Sequence, residues 1–239
     1  DRFPDILPTL VSELAILRRP AGEAHPLLQG PVARRMAEAV WPYRDVYITP
    51  MAAVAGAVAD EMLAALVEGC SLDKAYVNNG GDIAFHLSPG HELRAGIFVD
   101  ALDGAVTLTH DRLVRGLATS GWGGRSFSLG IADAVTILAP TAAAADAAAT
   151  IVANQVNANH AALAQKMSKM PAHQNPLTNA AAFHALAPAT QQHVAAIAAH
   201  VPPRSTITVI KTGVAPNATT ASTASMIEVP RVTVSSVIT

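Results

Sequence analysis

Apolar residues recur at helical spacing near the start of the chain, at Ile6, Leu7, Leu10, Val11, Leu14 and Leu17. The pattern predicts an amphipathic helix, closed by the cations Arg18 and Arg19 and the breaker Pro20. A second helix is expected over about 31–40, and a third over about 50–68. The third is rich in alanine and glycine, is stopped by Gly69, and should be largely buried. From Lys74 the period changes. AYVNN, DIAFHL, LRAGIFVD and AVTLTH are short apolar runs separated by glycine, aspartate or proline, which predicts an antiparallel meander.

A further strand, DAVTILA over 133–139, leads through Pro140 into an alanine-rich helix expected to extend to about residue 167. Residues 167–179, with two prolines, read as a loop. A helix over about 180–200 is interrupted near Pro188, and Pro202 and Pro203 end it before a strand, TITVIKT. The Ala/Ser/Thr stretch 219–225 reads as a linker to a last edge strand over 228–235, where Pro230 argues against a central position. No internal repeat is evident. The order of elements predicts one α+β domain over 1–239, an antiparallel meander packed against long alanine-rich helices.

Composition narrows the function classes. Of 239 residues, 51% are hydrophobic and 14% charged, which favours an ordered globule with closely packed small side chains. A net charge of -2 offers no field for a phosphate backbone, and 4% aromatics give little stacking surface, so nucleic acid is not an expected partner. Asp60, Glu61, Pro140 and Asp146 break the longest apolar runs, so no membrane span is expected. Cys70 is the only cysteine, which rules out an internal disulfide or a thiolate cluster; it reads as a small residue at a helix end. The expected compartment is the cytoplasm. Export stays open, because the chain opens at Asp1 with neither an initiator methionine nor an apolar leader.

Candidate chemistry lies between residues 77 and 154. Asp146 and Thr150 stand four apart on one predicted helix, so a carboxylate and a hydroxyl project from the same face. Hard oxygens so placed suit Mg²⁺, which takes one or two carboxylates beside waters and phosphates. The alternative is local: Asp146 serving a helix dipole and Thr150 bonding a carbonyl one turn back. Asn79, Gly80, Gly81 and Asp82 form either a plain hairpin turn or a place where a ligand approaches backbone. Thr119, Ser120, Gly121, Gly123, Gly124, Ser126 and Ser128 form a loop able to present amides and hydroxyls to an anion, without the Gly-Lys-Ser/Thr of a phosphate loop. Asp133 reads equally as a supporting residue or a strand opener. The nine histidines show no zinc spacing.

Taken together, NNGGD (78–82), TSGWGGRS (119–126) and ADAAAT (145–150), in this order, resemble the ApbE superfamily, specifically its branch of small uncharacterised ApbE-like proteins. The resemblance is best over 50–154 and implies a T-fold-like domain. Characterised members of the superfamily are FAD:protein FMN transferases, which cleave FAD and attach FMN to a protein threonine or serine. The resemblance therefore implies FAD and Mg²⁺ as ligands, with an acceptor protein as partner. It places Asp146 and Thr150 on the metal against the FAD pyrophosphate, Gly80, Gly81 and Asp82 beside the ligand, and a carbonyl of 54–56 in the metal shell. Two positions depart from the transferase pattern. Ala55 stands where a lysine usually precedes the helix glycine, and Ser126 to Gly130 replace a strand that carries a histidine. Both departures bear on transfer rather than on fold. The alternatives are a non-catalytic flavin or nucleotide binder and a structural subunit whose alanine-rich helices pack on a partner; homo-oligomerisation is left open.

Overall fold

The computed structural model describes residues 3–99, 102–122, 129–130, 132, 134–156, 206–211, 225–229 and 232–238. The expected α+β architecture is what forms. The first predicted helix divides into α1 (Phe3–Ser12) and α2 (Leu14–Leu17), and α3 (Pro31–Val40) begins on a proline at its first position, where the missing N–H costs nothing. Glu13 ties these pieces together. Its two carboxylate oxygens accept the backbone N–H groups of Gln29 (2.6 Å) and Gly30 (3.0 Å) at the start of α3. The third predicted helix enters through a 3₁₀ turn, Pro50–Ala53, and becomes α4 (Val54–Val67); α5 is Ala142–Gln155.

Seven strands form one sheet in the order β1-β2-β5-β6-β7-β9-β8: β1 (Lys74–Asn79), β2 (Asp82–Leu87), β5 (Gly116–Ser120), β6 (Ala134–Ala139), β7 (Thr206–Lys211), β8 (Ser225–Val229) and β9 (Val232–Ile238). All neighbours are antiparallel except β7 and β9. The remaining two strands, β3 (Glu92–Val99) and β4 (Leu102–Thr109), pair only with each other and leave the sheet as a ribbon. The meander expected from residue 74 onward thus runs β1-β2-β5-β6, with the ribbon inserted. Alternation fixes that a segment is a strand but not which strand it joins. At the far end two strands form where one edge strand over 228–235 was expected. Pro230 falls in sequence between β8 and β9, and β9 is internal, flanked by β7 and β8.

Around β2, β5 and β6 the sheet is covered on both faces. Ala84, Ala118, Val135, Ile137 and Ala139 face α4 and α5, whereas Ile83, Phe85, Leu87, Leu117 and Leu138 face the ribbon's Leu93, Ala95, Val106 and Leu108. The two sets alternate along each strand, as a pleat with both faces covered requires. Pro50–Val67 is long and apolar enough to cross a membrane by composition alone, with a mean hydropathy of 1.5. It packs on α5, β1 and β2 and carries the buried Glu61, but only 33% of it is buried, short of the largely buried helix expected: its small residues cover one face and the rest stays half-exposed. α5 ends at Gln155, where Val156 turns to an extended conformation, short of the end expected near 167; the loop expected over 167–179, the helix over about 180–200 and nearly all of the linker over 219–225 lie outside the described residues.

Candidate functional site

The first two turns of α4 and α5 meet the sheet at one end of β1, β2 and β5. Small residues make this meeting possible. At Gly56 a Cβ would collide with the Ala142 carbonyl, and at Gly116 with the Ala142 amide, so both positions exclude any side chain. Fully buried Ala57, Ala59, Ala118, Ala142 and Ala145 fill the remaining space. Backbones this close bring polar groups of four elements within bonding range.

Asp146, in the second turn of α5, accepts the Gly56 N–H on Oδ2 at 3.0 Å and also engages the Ala55 amide. Its carboxylate therefore serves a helix start, but that of α4 rather than its own. Asn79 at the end of β1 donates through Nδ2 to the Ala55 carbonyl at 3.1 Å. Gly80 and Gly81 form the β1–β2 turn with φ of +70° and +113°, conformations that favour glycine, and the Gly81 N–H donates to Asn78 Oδ1 at 2.9 Å. Asp82, the first residue of β2, is buried and accepts the Thr119 N–H on Oδ1 at 3.3 Å. The turn at 79–82, the end of β5, the start of α4 and the Asp146 turn of α5 thus form one contiguous cluster.

Two carboxylates meet there. Burial raises the Asp82 carboxyl to about 6, against the lowering by the Thr119 amide. Asp146 rises to about 8, first through burial and then through the charge of Asp82, while the Gly56 and Ala55 amides pull it down. The charge of Asp82 thus opposes ionisation of Asp146. Thr150 lies one turn beyond Asp146 on α5 and is half-buried.

The loop after β5 contributes less uniformly. Thr119 brings its amide to Asp82, but its hydroxyl lies on the ribbon side of the sheet, 2.9 Å from the Thr136 hydroxyl. Ser120 is half-buried on the helix side, Gly121 is buried, and Trp122 donates its N–H to the Ala132 carbonyl at 3.0 Å. The loop returns against α5, where Leu129 N–H donates to Asn154 Oδ1 at 2.9 Å. Gly123, Gly124, Ser126, Ser128 and Asp133 lie outside the described residues. Cys70 is exposed just beyond α4. Among the described residues, no three His, Cys, Asp or Glu side chains converge as a metal-binding group.

Sequence reasoning missed Asp60. This α4 residue accepts the N–H groups of Ala142 on Oδ1 (3.0 Å) and Ala143 on Oδ2 (2.9 Å), and Thr141 Oγ1 accepts that of Ala144 (3.1 Å). The available signal was an acid pair, Asp60-Glu61, within a helix predicted to be buried, since a buried charge requires a partner. Glu61 finds one in Arg35 Nε at 3.3 Å.

A family model described as AbpE bacteria matches residues 1–216. The chain belongs to this ApbE-like family. It is also similar to archaeal UPF0280 proteins. That of Methanopyrus kandleri is 36% identical over 126 residues, which cover 52% of this chain and 48% of the relative. That of Methanoculleus marisnigri is 39% identical over 127 residues, covering 51% of each chain. That of Methanothermobacter thermautotrophicus is 37% identical over 136 residues, covering 54% and 50%. The chain spans about half the length of the curated relatives it matches. The matched residues include all three motif segments, and the cluster around Asp146 is where two of them, 78–82 and 145–150, come together.

Proposed function

We propose that this ApbE-like chain binds a flavin nucleotide, FAD or a related pyrophosphate, through Mg²⁺ held at Asp146 and Thr150, with Asp82 opposite. The observation that carries this reading is the Asp82–Asp146 pair, one carboxylate buried and the other half-buried at the junction of β1, β2, α4 and α5: two like charges so placed are stabilised by a proton or by a cation between them. The donor set is hard oxygen throughout, two carboxylates, a hydroxyl and the nearby Ala55 carbonyl, and such a set fits Mg²⁺ completed by phosphate oxygens. Bound there, the metal would neutralise pyrophosphate charge. The helix starts themselves are taken, since Asp146 engages the amides of Ala55 and Gly56, and Asp60 those of Ala142 and Ala143. The Gly81 N–H is likewise taken by Asn78 Oδ1, so phosphate would be received through the cation, with the 80–81 turn and Ser120–Gly121 beside it.

In the activity implied by family resemblance, the hydroxyl oxygen of an acceptor protein's serine or threonine bonds to the phosphorus of the FMN half. The bond from that phosphorus to the bridging oxygen breaks, AMP leaves, and the hydroxyl proton is lost. The chain's own residues orient the pyrophosphate for this step. A second reading, ligand binding without transfer, is favoured by Ala55 at the position where transferases carry lysine.

Absorbance and fluorescence titration of FAD, with Mg²⁺ and with chelator, tests the site. Asp146→Asn and Thr150→Val nearly preserve volume, so the fold should persist while Mg²⁺-dependent affinity falls by about tenfold or more for each. Wild-type affinity indifferent to metal and to both substitutions would overturn the proposal. AMP release against a threonine-bearing acceptor separates transferase from binder.

A further inference from the structure

α4 and α5 are joined by two carboxylates that cross in opposite directions. Asp60 reaches from α4 to the first amides of α5, and Asp146 reaches from α5 to the Gly56 amide at the start of α4. Gly56 lies four residues before Asp60, and Asp146 three to four residues after Ala142 and Ala143. Each attachment therefore sits about one helical turn from the other along both helices. One such attachment would let the helices swivel about it; two fix both translation and rotation. Bare Gly56 lets the backbones close, so that short aspartate side chains span the gap.

We infer that Asp60 is a positioning residue for the Asp146 site: by holding the Ala142 and Ala143 amides it sets the register of α5 on α4, and so keeps the Asp146 carboxylate on Gly56 and facing Asp82. Asp60 acts through the helix and not on the ligand, and its consequence for metal binding rests on the function proposed above. Thr141 is the internal control. It bonds the Ala144 amide within α5 itself and caps the same helix without attaching it to α4.

Three variants of the full chain decide the point through amide hydrogen exchange at Ala55 and Gly56, with Mn²⁺ affinity measured in parallel by electron paramagnetic resonance. Asp60→Asn replaces one acceptor oxygen by a donor that faces an N–H. It should speed exchange at Gly56, which is not its own partner, and weaken Mn²⁺ binding by about tenfold, the scale of losing a residue that orients a ligand. Thr141→Ala should lower thermal stability yet leave both readouts at wild-type values. Unchanged Gly56 exchange in Asp60→Asn, or an equal change in Thr141→Ala, would overturn the inference. Should Asp60→Asn fail to fold, Asp60→Glu keeps the charge on a longer arm and should give intermediate values for both readouts; wild-type values would overturn it. If the wild-type protein binds no Mn²⁺, the metal reading falls, and Gly56 exchange still decides the role of Asp60.

Discussion

The helix face and the ribbon face of the same sheet are filled on different plans. Towards α4 and α5 alanines and bare glycines predominate beside Val135 and Ile137, and the helices approach until carboxylates bond amides of a neighbouring element. Towards the ribbon, Phe85, Leu87, Leu117, Leu138 and Leu108 form a dry cluster of large side chains. Large residues gain stability from transferred area; small ones give up area for proximity, which polar groups then exploit. The face carrying the candidate site should therefore be intolerant of added atoms, and the opposite face intolerant of removed ones.

Phe85→Ala should produce the largest loss. Phe85 is 1% exposed, and truncating such a residue costs about 3–5 kcal/mol through lost transfer energy and an unfilled cavity. Chemical denaturation would measure it. The counterpart on the other face is Gly56→Ala, which deletes nothing and places one methyl against the Ala142 carbonyl, at an expected cost of about 1–3 kcal/mol from overpacking. Phe85→Ala in the folded protein should leave ligand affinity near wild type, whereas Gly56→Ala should weaken it by separating α4 from α5. Equal effects of the two on affinity would break the comparison.

The next effect depends on pH and isolates the acidic pair. Asp82 and Asp146 have folded-state values raised to about 6 and about 8, above those of an unfolded chain. A raised value means that the folded state holds the proton more tightly. The contribution of these groups is thus fully present near pH 4 and is lost as pH rises through about 6 and then about 8. Thermal melts of chelator-treated protein should fall between pH 5 and pH 8.5. Asp146→Asn should flatten the upper part of that slope, and Mg²⁺ should restore the wild-type midpoint at pH 8.5. A midpoint independent of pH over this range would mean that the two carboxylates do not share a buried environment.

Local physics made much of the molecule legible, and non-local pairing set the limit. Pro31 and the 3.6-residue period fix α3 from 31 to 40, and Gly80-Gly81 between two apolar runs fixes the β1–β2 hairpin, because each is decided within a few residues. The four-residue spacing put Asp146 and Thr150 on one face of α5. The departure of β3 and β4 from the meander was not legible, since a strand's period is the same whichever neighbour it finds. Nor was the bonding of Asp60 to Ala142 and Ala143, 82 and 83 residues away. The side of the sheet taken by Thr119 likewise depends on the register of β5 against β2 and β6.

Thr119 gives the smallest expected effect and the sharpest separation of the two faces. Its amide bonds Asp82 on the helix side, while its hydroxyl meets that of Thr136 on the ribbon side. Thr119→Val keeps the shape, the β-branched strand preference and the amide, and removes only the hydroxyl. The loss should be about 1 kcal/mol, one hydrogen bond with the Thr136 hydroxyl left buried and unpaired. Because the amide is untouched, flavin affinity in the presence of Mg²⁺ should stay within about twofold of wild type. Thr136→Val on top of Thr119→Val should recover part of that loss, because it removes the hydroxyl left buried and unpaired; a double-mutant cycle reads this coupling directly. A large fall in flavin affinity for Thr119→Val would show that its hydroxyl reaches the ligand, and would place part of the site on the ribbon face.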